Sequence, residues 1–486
     1  MVTMSLHELL EGWTDKASDV TLTGISLDSC DIKAGDAFVA VLGQNGHGLE
    51  YARAAVAAGA VAVIHDGLGS LPQLDVVQAE VPGLGNMLGE LASRFFDAPS
   101  EQMTIAGVTG TNGKTSVAHF LAQSWQRVYG HAGLVGTLGY GPVGMLQSGP
   151  RTTPDALRLQ KVLKDCLSSG IERVAMEVSS HALLQQRCQT VQFKAAVFTN
   201  LSRDHLDYHP DMASYAAAKR LLFSDYAPFF SIVNHDDDYG KRWFTELSGE
   251  REMLSFGLQG GAELNAKVDS MDVDGMTISI DGPWGSGQIR SSLFGKFNAS
   301  NLLATAGTLA LLGMPWNQVL HQLELMQAVP GRMMRLGGAR GQPVVVLDYA
   351  HTPGALESAL RAVRAHLDGK LVCVFGCGGN RDRGKRPQMG RVAELLADEL
   401  FVTSDNPRNE PADRIIEEVV SGMEMPGKAI IEPDRKAAIQ RAIVHCKKGD
   451  VVLIAGKGHE TWQEIAGRKI PFSDESAVRK ALGEAA

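Results

Sequence analysis

The sequence predicts an α/β protein of three domains, and three observations predict it. The chain has 486 residues, where a domain typically takes ~100–200. Hydrophobic residues make up 44% and charged residues 21%, which supplies packed cores and excludes disorder and low-complexity character. Short apolar strands alternate with helical segments through most of the length, the signature of βαβ units and parallel sheets. The net charge of −9 excludes a broad basic surface for duplex nucleic acid, so an anionic ligand needs a local site. Six cysteines lie far apart without a Cys-x-x-Cys pair, as in a reducing compartment. The first twenty residues carry acids where a signal peptide needs an apolar run, and no stretch of ~18 uncharged apolar residues occurs. The expectation is a cytoplasmic protein with no membrane span.

Each element follows from local signals. Residues 35–43 (GDAFVAVLG) read as a strand, 48–59 as a helix stopped by Gly59, and 60–66 as the next strand. Asp97-Ala98-Pro99-Ser100 breaks the pattern and marks a boundary, giving a first domain over 1–98. From Thr104 the order is strand, glycine loop and helix, and a second helix is expected from Pro154 behind Thr153 as N-cap. Strands at 173–179, 194–200 and 230–234 follow, with a helix around 214–223. Residues 262–295 change to an alternating antiparallel hairpin with an Asp274-Gly275 turn, and helices close the block at about 298–312 and 316–326. Pro330-Gly331 marks the second boundary, so the central domain spans 99–328 and the last 329–486. That last domain alternates five strands and five helices, a Rossmann-like α/β pattern.

The strongest chemical signal is Gly107-Val-Thr-Gly-Thr-Asn-Gly-Lys-Thr115 between a buried strand and a helix. Backbone N–H groups and a helix N-terminus cradle phosphate oxygens there, Lys114 reaches the β/γ-phosphates and the Thr115 hydroxyl suits Mg²⁺. A P-loop sheet usually offers an acid at a neighbouring strand end for the metal, and Glu177 stands at such an end. Asp204, His205, Asp207 and His209 concentrate after the next strand. By themselves they could bind a divalent metal, as in a metallohydrolase, or form a polar loop with satisfied histidines. Lys219, on the following helix, reads by itself as a surface lysine.

In the last domain, Phe375–Arg386 (FGCGGNRDRGKR) lacks Gly-x-Gly-x-x-Gly spacing, which argues against NAD. Its Arg381, Arg383, Lys385 and Arg386 suit anions. Asp405-Asn406-Pro407-Arg408 and Gly456-Lys-Gly-His-Glu460 both follow apolar strands, at the carboxyl edge where ligands bind in open α/β sheets. Beside phosphoryl transfer at the glycine loop, two other classes stay open: a metallohydrolase that needs no ATP, and a nucleotide-controlled binding module that hydrolyses ATP without consuming an amino acid.

Together these motifs resemble the Mur ligase family of peptidoglycan precursor synthesis. The match runs through Leu27-Asp-Ser29, GTNGKTS (110–116), TTP (152–154), MEVSSH (176–181), NLSRDHLDYH (200–209), GKFNASN (295–301), PGR (330–332), DYAHTP (348–353), GCGGNRDRGKRP (376–387), DNPR (405–408) and GKGHE (456–460). Met333-Met334 departs from the Met-Glu of many relatives but leaves Arg332 in place. Within the family the chain is most similar to ligases that add meso-diaminopimelate to UDP-N-acetylmuramoyl-L-alanyl-D-glutamate (UDP-MurNAc-L-Ala-D-Glu).

The resemblance implies that Mg-ATP phosphorylates the D-glutamyl carboxylate and that the amine then attacks the acyl phosphate. The products are UDP-MurNAc-tripeptide, ADP and phosphate, with domain closure bringing the partners together. It implies catalytic roles for Lys114, Glu177, His205 and Lys219. It places ATP on Gly110, Thr111, Asn112, Gly113, Lys114, Thr115, Ser116, Asn298, Arg332 and Asp348. Mg²⁺ falls to Thr115, Glu177, His205 and Lys219, the lysine as a carbamate (N6-carboxylysine). The UDP-substrate falls to Leu27, Ser29, Gln44, Asn45, Gly46, Thr152, Thr153, Ser179, Gln185 and Arg187. Diaminopimelate falls to Arg381, Asp405, Asn406, Pro407, Arg408, Gly456 and Glu460. A monomer without a nucleic-acid partner is expected, serving cell wall biogenesis and, through it, cell shape and division.

Overall fold

The computed structural model describes residues 2–14, 19–43, 46–70, 72–249, 251–339 and 341–484. They form two compact units, 1–255 with 307–312, and 256–306 with 313–486. Among the described residues no helix is long and apolar enough to cross a membrane. All six cysteines are free thiols.

The first unit holds two mainly parallel sheets, the larger edged by the antiparallel strand Gly139–Pro142. The smaller runs in the order Gly24–Ser26, Asp36–Ala40, Ala62–His65, Val77–Glu80. The strand expected over 35–43 is thus shorter, and Leu42–Gly43 pairs instead with Gly46–His47 as a separate ribbon. Buried Asp66 explains the break: its carboxylate accepts from the Leu42 N–H at 3.1 Å and bonds His47 Nε2 at 2.8 Å. Gln44 and Asn45 lie outside the described residues.

The larger sheet places Thr104–Thr109 at its centre, between Arg173–Glu177 and Ala195–Phe198. Gly133–Gly136 lies beyond the former and Phe230–Asn234 beyond the latter. The central strands are apolar on both faces, as buried parallel strands must be. Ile105, Val135, Met176 and Phe198 pack with Leu159 and Leu163 of the helix Ala156–Ser168. That helix does not start behind Thr153. Asp155 is its N-cap, accepting from the Arg158 N–H at 3.0 Å. The Thr153 hydroxyl donates instead to the Glu177 carbonyl at 2.9 Å, so it has no lone role as a cap.

In the second unit the antiparallel insert is a three-stranded meander, Leu264–Asp272, Gly275–Gly282 and Gly285–Ser291. Asp272 pairs with Gly275, so the turn is Val273-Asp274 rather than Asp274-Gly275. Gly275 is a strand residue at φ +133°, where a Cβ would come within 1.9 Å of the Ser291 carbonyl oxygen. His366 staples this turn: its Nδ1 bonds the Asp272 carbonyl at 2.9 Å and its Nε2 accepts from the Gly295 N–H at 2.9 Å.

The main sheet of this unit runs Met334–Gly337, Val344–Asp348, Val451–Ala455, Leu371–Phe375, Glu399–Val402, Ala429–Ile431. All neighbours are parallel except the first pair. Alternate residues feed two cores. Val346, Cys373, Phe375 and Leu453 face Leu356 and Met389, whereas Leu347, Val374 and Ile454 face Ile439 and Val478. Burying both faces makes the four inner strands continuous apolar runs, which is why they are legible; the edge strand Ala429–Ile431 is legible from its apolar residues although Ile431 is exposed. Met334–Gly337 and the hairpin Trp462–Ile465 with Arg468–Pro471 were not.

One ion pair is fully enclosed. Arg435 Nε and Nη2 donate to the two carboxylate oxygens of Asp474 at 2.7 and 2.8 Å, and neither side chain is exposed. Nη2 also donates to the Ala455 carbonyl at 3.0 Å, tying the pair to a strand end. Removing one partner leaves the other charge buried alone, at a cost of about 3–5 kcal/mol. Asp474→Ala should therefore lower the unfolding free energy of this unit by about that much, measured by urea titration, and Asp474→Asn by less.

Candidate active site

The P-loop is built by the strand that precedes it. Thr104–Thr109 ends inside the sheet, and the chain turns through Gly110 at φ +147° into Gly113 at φ +86°. A Cβ on Gly110 would stand 1.9 Å from Thr199 Oγ1, so only glycine fits. Thr111 and Asn112 donate their backbone N–H groups to the Asn200 carbonyl and side-chain oxygen at 2.8 and 3.0 Å. Gly113 is the N-cap of the helix Lys114–Tyr129 and offers no side chain to its first amides. That first turn, with its positive dipole end, fits phosphate oxygens.

Two lysines converge on one carbonyl. Lys114 Nζ donates to the Gly110 and Thr111 oxygens at 2.8 and 2.9 Å, and Lys219 Nζ donates to the same Gly110 oxygen at 2.8 Å. Lys219 is not the surface lysine of the residue-only reading: it is 1% exposed. Burial, with the charge of Lys114 added, pushes its pKa down to about 6. Most of its amine is therefore neutral at pH 7.

Glu177 is buried beside the helix start. Its carboxylate accepts from Thr115 Oγ1 at 2.9 Å and from the Thr137 N–H at 2.8 Å. A hydroxyl and a carboxylate side by side at a phosphate cradle are hard oxygen donors that fit Mg²⁺. His205 sits apart from them. Its backbone has φ +52° and its N–H donates to Asp204 Oδ1 at 2.9 Å. Its ring packs against His181 and Tyr215, with centroids 5.1 and 6.0 Å away. Tyr215 is the shared neighbour, since Lys219 Nζ lies 4.6 Å from the centre of its ring.

The Asp204–His209 segment does not form a metal cluster of its own. Among the described residues no three His, Cys, Asp or Glu side chains gather in that way. His209 instead bonds Ser180 Oγ through Nε2 at 2.9 Å. Burial and the neighbouring His205 and His209 push the His181 pKa down to about 4, so that ring is neutral.

Thr152, Thr153, Ser179, Gln185 and Arg187 form one network. Thr152 Oγ1 lies 3.1 Å from Thr137 Oγ1, and Ser179 donates its N–H to Thr153 Oγ1 at 3.1 Å. Arg187 donates to the Thr153 carbonyl at 2.8 Å and to Gln185 Oε1 at 3.1 Å. Leu27 and Ser29 lie on a loop pinned by Asp28, whose carboxylate accepts from the Cys30 N–H at 2.9 Å. Gly46, at φ +142°, opens the second strand of the short ribbon.

The second unit brings together a different set. Asp405, Asn406 and Pro407 follow one strand, and Gly456 and Glu460 follow its second neighbour, as expected of a carboxyl edge. Lys457 is fully buried and links them. Its Nζ donates to Glu460 Oε2 at 2.7 Å, to Asn406 Oδ1 at 3.1 Å and to the Trp462 carbonyl at 2.7 Å. Asn406 Nδ2 donates to the same Glu460 oxygen at 2.9 Å. Burial pushes the Asp405 carboxyl upward, and a Cβ on Gly456 would approach its Oδ2 to 2.6 Å. Arg381 is exposed.

Sequence reasoning missed Lys457, for a lysine between two glycines carries no sign of burial. It also missed Asn200 and Tyr215, although the i,i+4 spacing of Tyr215 and Lys219 could have paired those two.

The anion-binding expectation for the glycine-rich loop needs correction. Arg386 is fully buried and spends its guanidinium on Glu410 and Glu418, at 2.9 and 2.7 Å from Nη1. Arg383 also pairs with Glu418, and Lys385 Nζ donates to the His351 carbonyl at 2.8 Å. Asp348, named for nucleotide, accepts from the Met333 and Ala350 N–H groups at 2.8 and 2.9 Å and so fixes the Arg332 loop. Asn298 is buried, donating to the Phe294 carbonyl at 2.9 Å.

A central P-loop strand flanked by a carboxylate strand, with a second parallel sheet that collects charged groups at its carboxyl edge, defines a phosphate-handling α/β enzyme. Family signatures match 21–96 (Mur ligase family, catalytic domain), 108–309 (Mur ligase middle domain) and 331–458 (Mur ligase, glutamate ligase domain). The chain is 43% identical over 472 residues to the UDP-N-acetylmuramoyl-L-alanyl-D-glutamate–2,6-diaminopimelate ligase of Coxiella burnetii, covering 96% of each. It is 44% identical to the enzyme of that name from Pseudomonas aeruginosa, covering 99% of this chain and 98% of the relative. A solved structure of a ligase with that name superposes at a TM-score of 0.74 with 32% identity, covering 99% of both chains. A MurF structure from Acinetobacter baumannii, 17% identical at a TM-score of 0.67 and covering 99% of both chains, shares the fold. The chain belongs to the Mur ligase family.

Glu410 supplies a pH test of the Arg386 correction. The Arg386 guanidinium holds its carboxyl down at about 2, below the ordinary carboxylate range. A depressed carboxylate contributes stability that is present above pH ~4.5 and lost as pH falls toward ~2. Wild type should lose this increment over that window in acid titrations of unfolding free energy, and Glu410→Gln should lack it throughout.

Proposed function

We propose that this protein is the ATP-dependent ligase that adds meso-diaminopimelate to UDP-MurNAc-L-Ala-D-Glu, forming UDP-MurNAc-tripeptide, ADP and phosphate for peptidoglycan synthesis. The observation that carries the reading is whole-length identity of 43–45% to 2,6-diaminopimelate ligases. The work divides along the chain, with 1–98 taking the UDP end, 99–328 the ATP and 329–486 the incoming amino acid. The protein acts as a cytoplasmic monomer. Through cell wall biogenesis it serves cell shape, division and the cell cycle.

The P-loop residues Gly110 to Ser116 take the phosphates, and the cationic Lys114 stabilises charge as it builds on the phosphoryl group passing to the D-glutamyl carboxylate. The diaminopimelate amine then attacks the acyl phosphate and phosphate leaves. Asn298, Arg332 and Asp348 are assigned to nucleotide. Leu27, Ser29, Gly46 and the network of Thr152, Thr153, Ser179, Gln185 and Arg187 are assigned to the UDP-substrate. Thr115, Glu177 and His205 would hold Mg²⁺ at the ATP centre, and Lys219 a second Mg²⁺; bound Mg²⁺ supplies charge to the phosphoryl oxygens. Lys219 serves there as a carbamate. Its neutral amine is the form that attacks CO₂, and loss of the N–H proton leaves an anionic oxygen ligand in place of a cation.

Arg408 carries amino-acid selection. Its planar fork suits the distal carboxylate of diaminopimelate, and Glu460 suits the distal ammonium. Lysine has no distal carboxylate to engage the remaining N–H groups of the Arg408 fork, the kind of polar mismatch that can reach ~10⁴–10⁵-fold in discrimination. Phosphate release with ATP and the UDP-dipeptide should depend on meso-diaminopimelate, with lysine a very poor substrate. Comparable kcat/KM for the two amino acids would sink the reading, as would an Arg408→Ala enzyme that keeps full preference. Lys219→Ala should be nearly inactive and regain some turnover with short carboxylic acids. An intact mass showing a free amine throughout an active wild-type sample counts against the carbamate.

A further inference from the structure

Arg408 is held on two sides before any substrate arrives. Its Nη1 donates to the Gly379 carbonyl at 2.8 Å, and its Nε lies 3.3 Å from Glu464 Oε2. The backbone is held as well. Arg408 donates its N–H to the Glu464 carbonyl at 2.9 Å, and its own carbonyl accepts from the Ala466 N–H at 2.7 Å. This bridge sustains φ +53° at a residue with a long side chain, a conformation that persists only where surroundings enforce it.

The same hairpin strand, Trp462–Ile465, grips the rest of the loop. Gln463 Nε2 donates to the Asp405 carbonyl at 2.6 Å, and Glu464 donates its N–H to Asn406 Oδ1 at 3.0 Å. Consecutive hairpin residues therefore fix the positions from Asp405 to Arg408, and Glu464 reaches the guanidinium itself.

A guanidinium offers a carboxylate two bidentate edges, the Nη1/Nη2 end and the Nε/Nη2 side. Glu464 lies at the Nε corner of that side, and Gly379 takes one of the two Nη1 hydrogens. We propose that Glu464 is a positioning residue for amino-acid selection, leaving the Nη end of Arg408 as the edge for the distal carboxylate. The inference rests on the assignment of Arg408 to diaminopimelate. Both side chains are partly exposed, 20% for Arg408 and 25% for Glu464. The pair thus adds little through attraction alone, and its effect is to select one geometry. With the side edge open, a substrate carboxylate has two ways to dock, and only one sets the far amine toward the acyl phosphate.

The test compares Glu464→Ala with Glu464→Gln, which keeps an acceptor for Nε. Initial rates are measured with meso-diaminopimelate and with its LL isomer, alongside KM for ATP and the UDP-dipeptide and a thermal melt. For Glu464→Ala, KM for meso-diaminopimelate should rise about tenfold, the loss of one oriented polar contact. Its preference for meso over LL should fall by a similar factor, while the melt and the other two KM values stay put. Glu464→Gln should remain within about threefold of wild type. An alanine variant with unchanged KM and preference overturns the proposal. So does a uniform rise in all three KM values with a lowered melt, or a glutamine variant no better than alanine. A wild-type enzyme that fails to use meso-diaminopimelate removes the Arg408 assignment and this inference together; an unaffected alanine variant removes the inference alone.

Discussion

A buried parallel strand ends with polar groups that water reaches poorly, and the side chains that satisfy those groups decide what each site looks like. At the end of Thr104–Thr109, Thr199 and Asn200 from the adjacent strand hold the turn: Thr199 Oγ1 donates to the Asn112 carbonyl at 2.5 Å and Asn200 Nδ2 to the same oxygen at 3.1 Å. At the end of Val451–Ala455, Arg435 takes the Ala455 carbonyl while Lys457 turns inward to Asn406 and Glu460. In both units the loops at these strand ends are tied down by hydrogen bonds because strand ends demand partners.

Charge is distributed unequally between the two edges. Around Gly110 two lysine amines approach one oxygen with Glu177 committed to Thr115 and Thr137, so burial and the charge of Lys114 act together on Lys219. Around Asn406 each cation already has an acid: Lys457 has Glu460, Arg408 has Glu464, and Arg435 has Asp474. The first arrangement favours an incoming polyanion. The second favours a ligand that carries both signs, as an amino acid does.

The legible parts of this protein are those fixed by local chemistry. Continuous apolar runs announce the inner parallel strands because both their faces are covered, and the Gly110–Thr115 turn is recognisable because Gly110 has no room for a Cβ. What sequence could not show depended on a distant partner. Thr153 has the side chain of a cap but is claimed by the Glu177 carbonyl, leaving Asp155 to start the helix. Arg386 looks like an anion ligand among its basic neighbours until Glu410 and Glu418 fold onto it. The hairpin after Glu460 has exposed, mixed residues, and its register comes from the Asp405–Arg408 loop rather than from its own pattern. His205 and Lys219 were chosen by resemblance, and neither charge nor spacing would have separated them from solvated neighbours.

The enclosed pair of Arg435 and Asp474 carries a consequence for how the chain is made. Its members stand 39 positions apart, and every strand of the sheet beneath them is synthesised before the aspartate. On the ribosome the helix Arg435–His445 emerges before the carboxylate that its guanidinium grips with two hydrogen bonds, and sealing it against the sheet at that moment would bury the charge without that partner. Packing that face is therefore most favourable once Asp474 has left the exit tunnel. The last helix is the latch on the face carrying Ile439 and Ala442, because it brings the neutralising carboxylate.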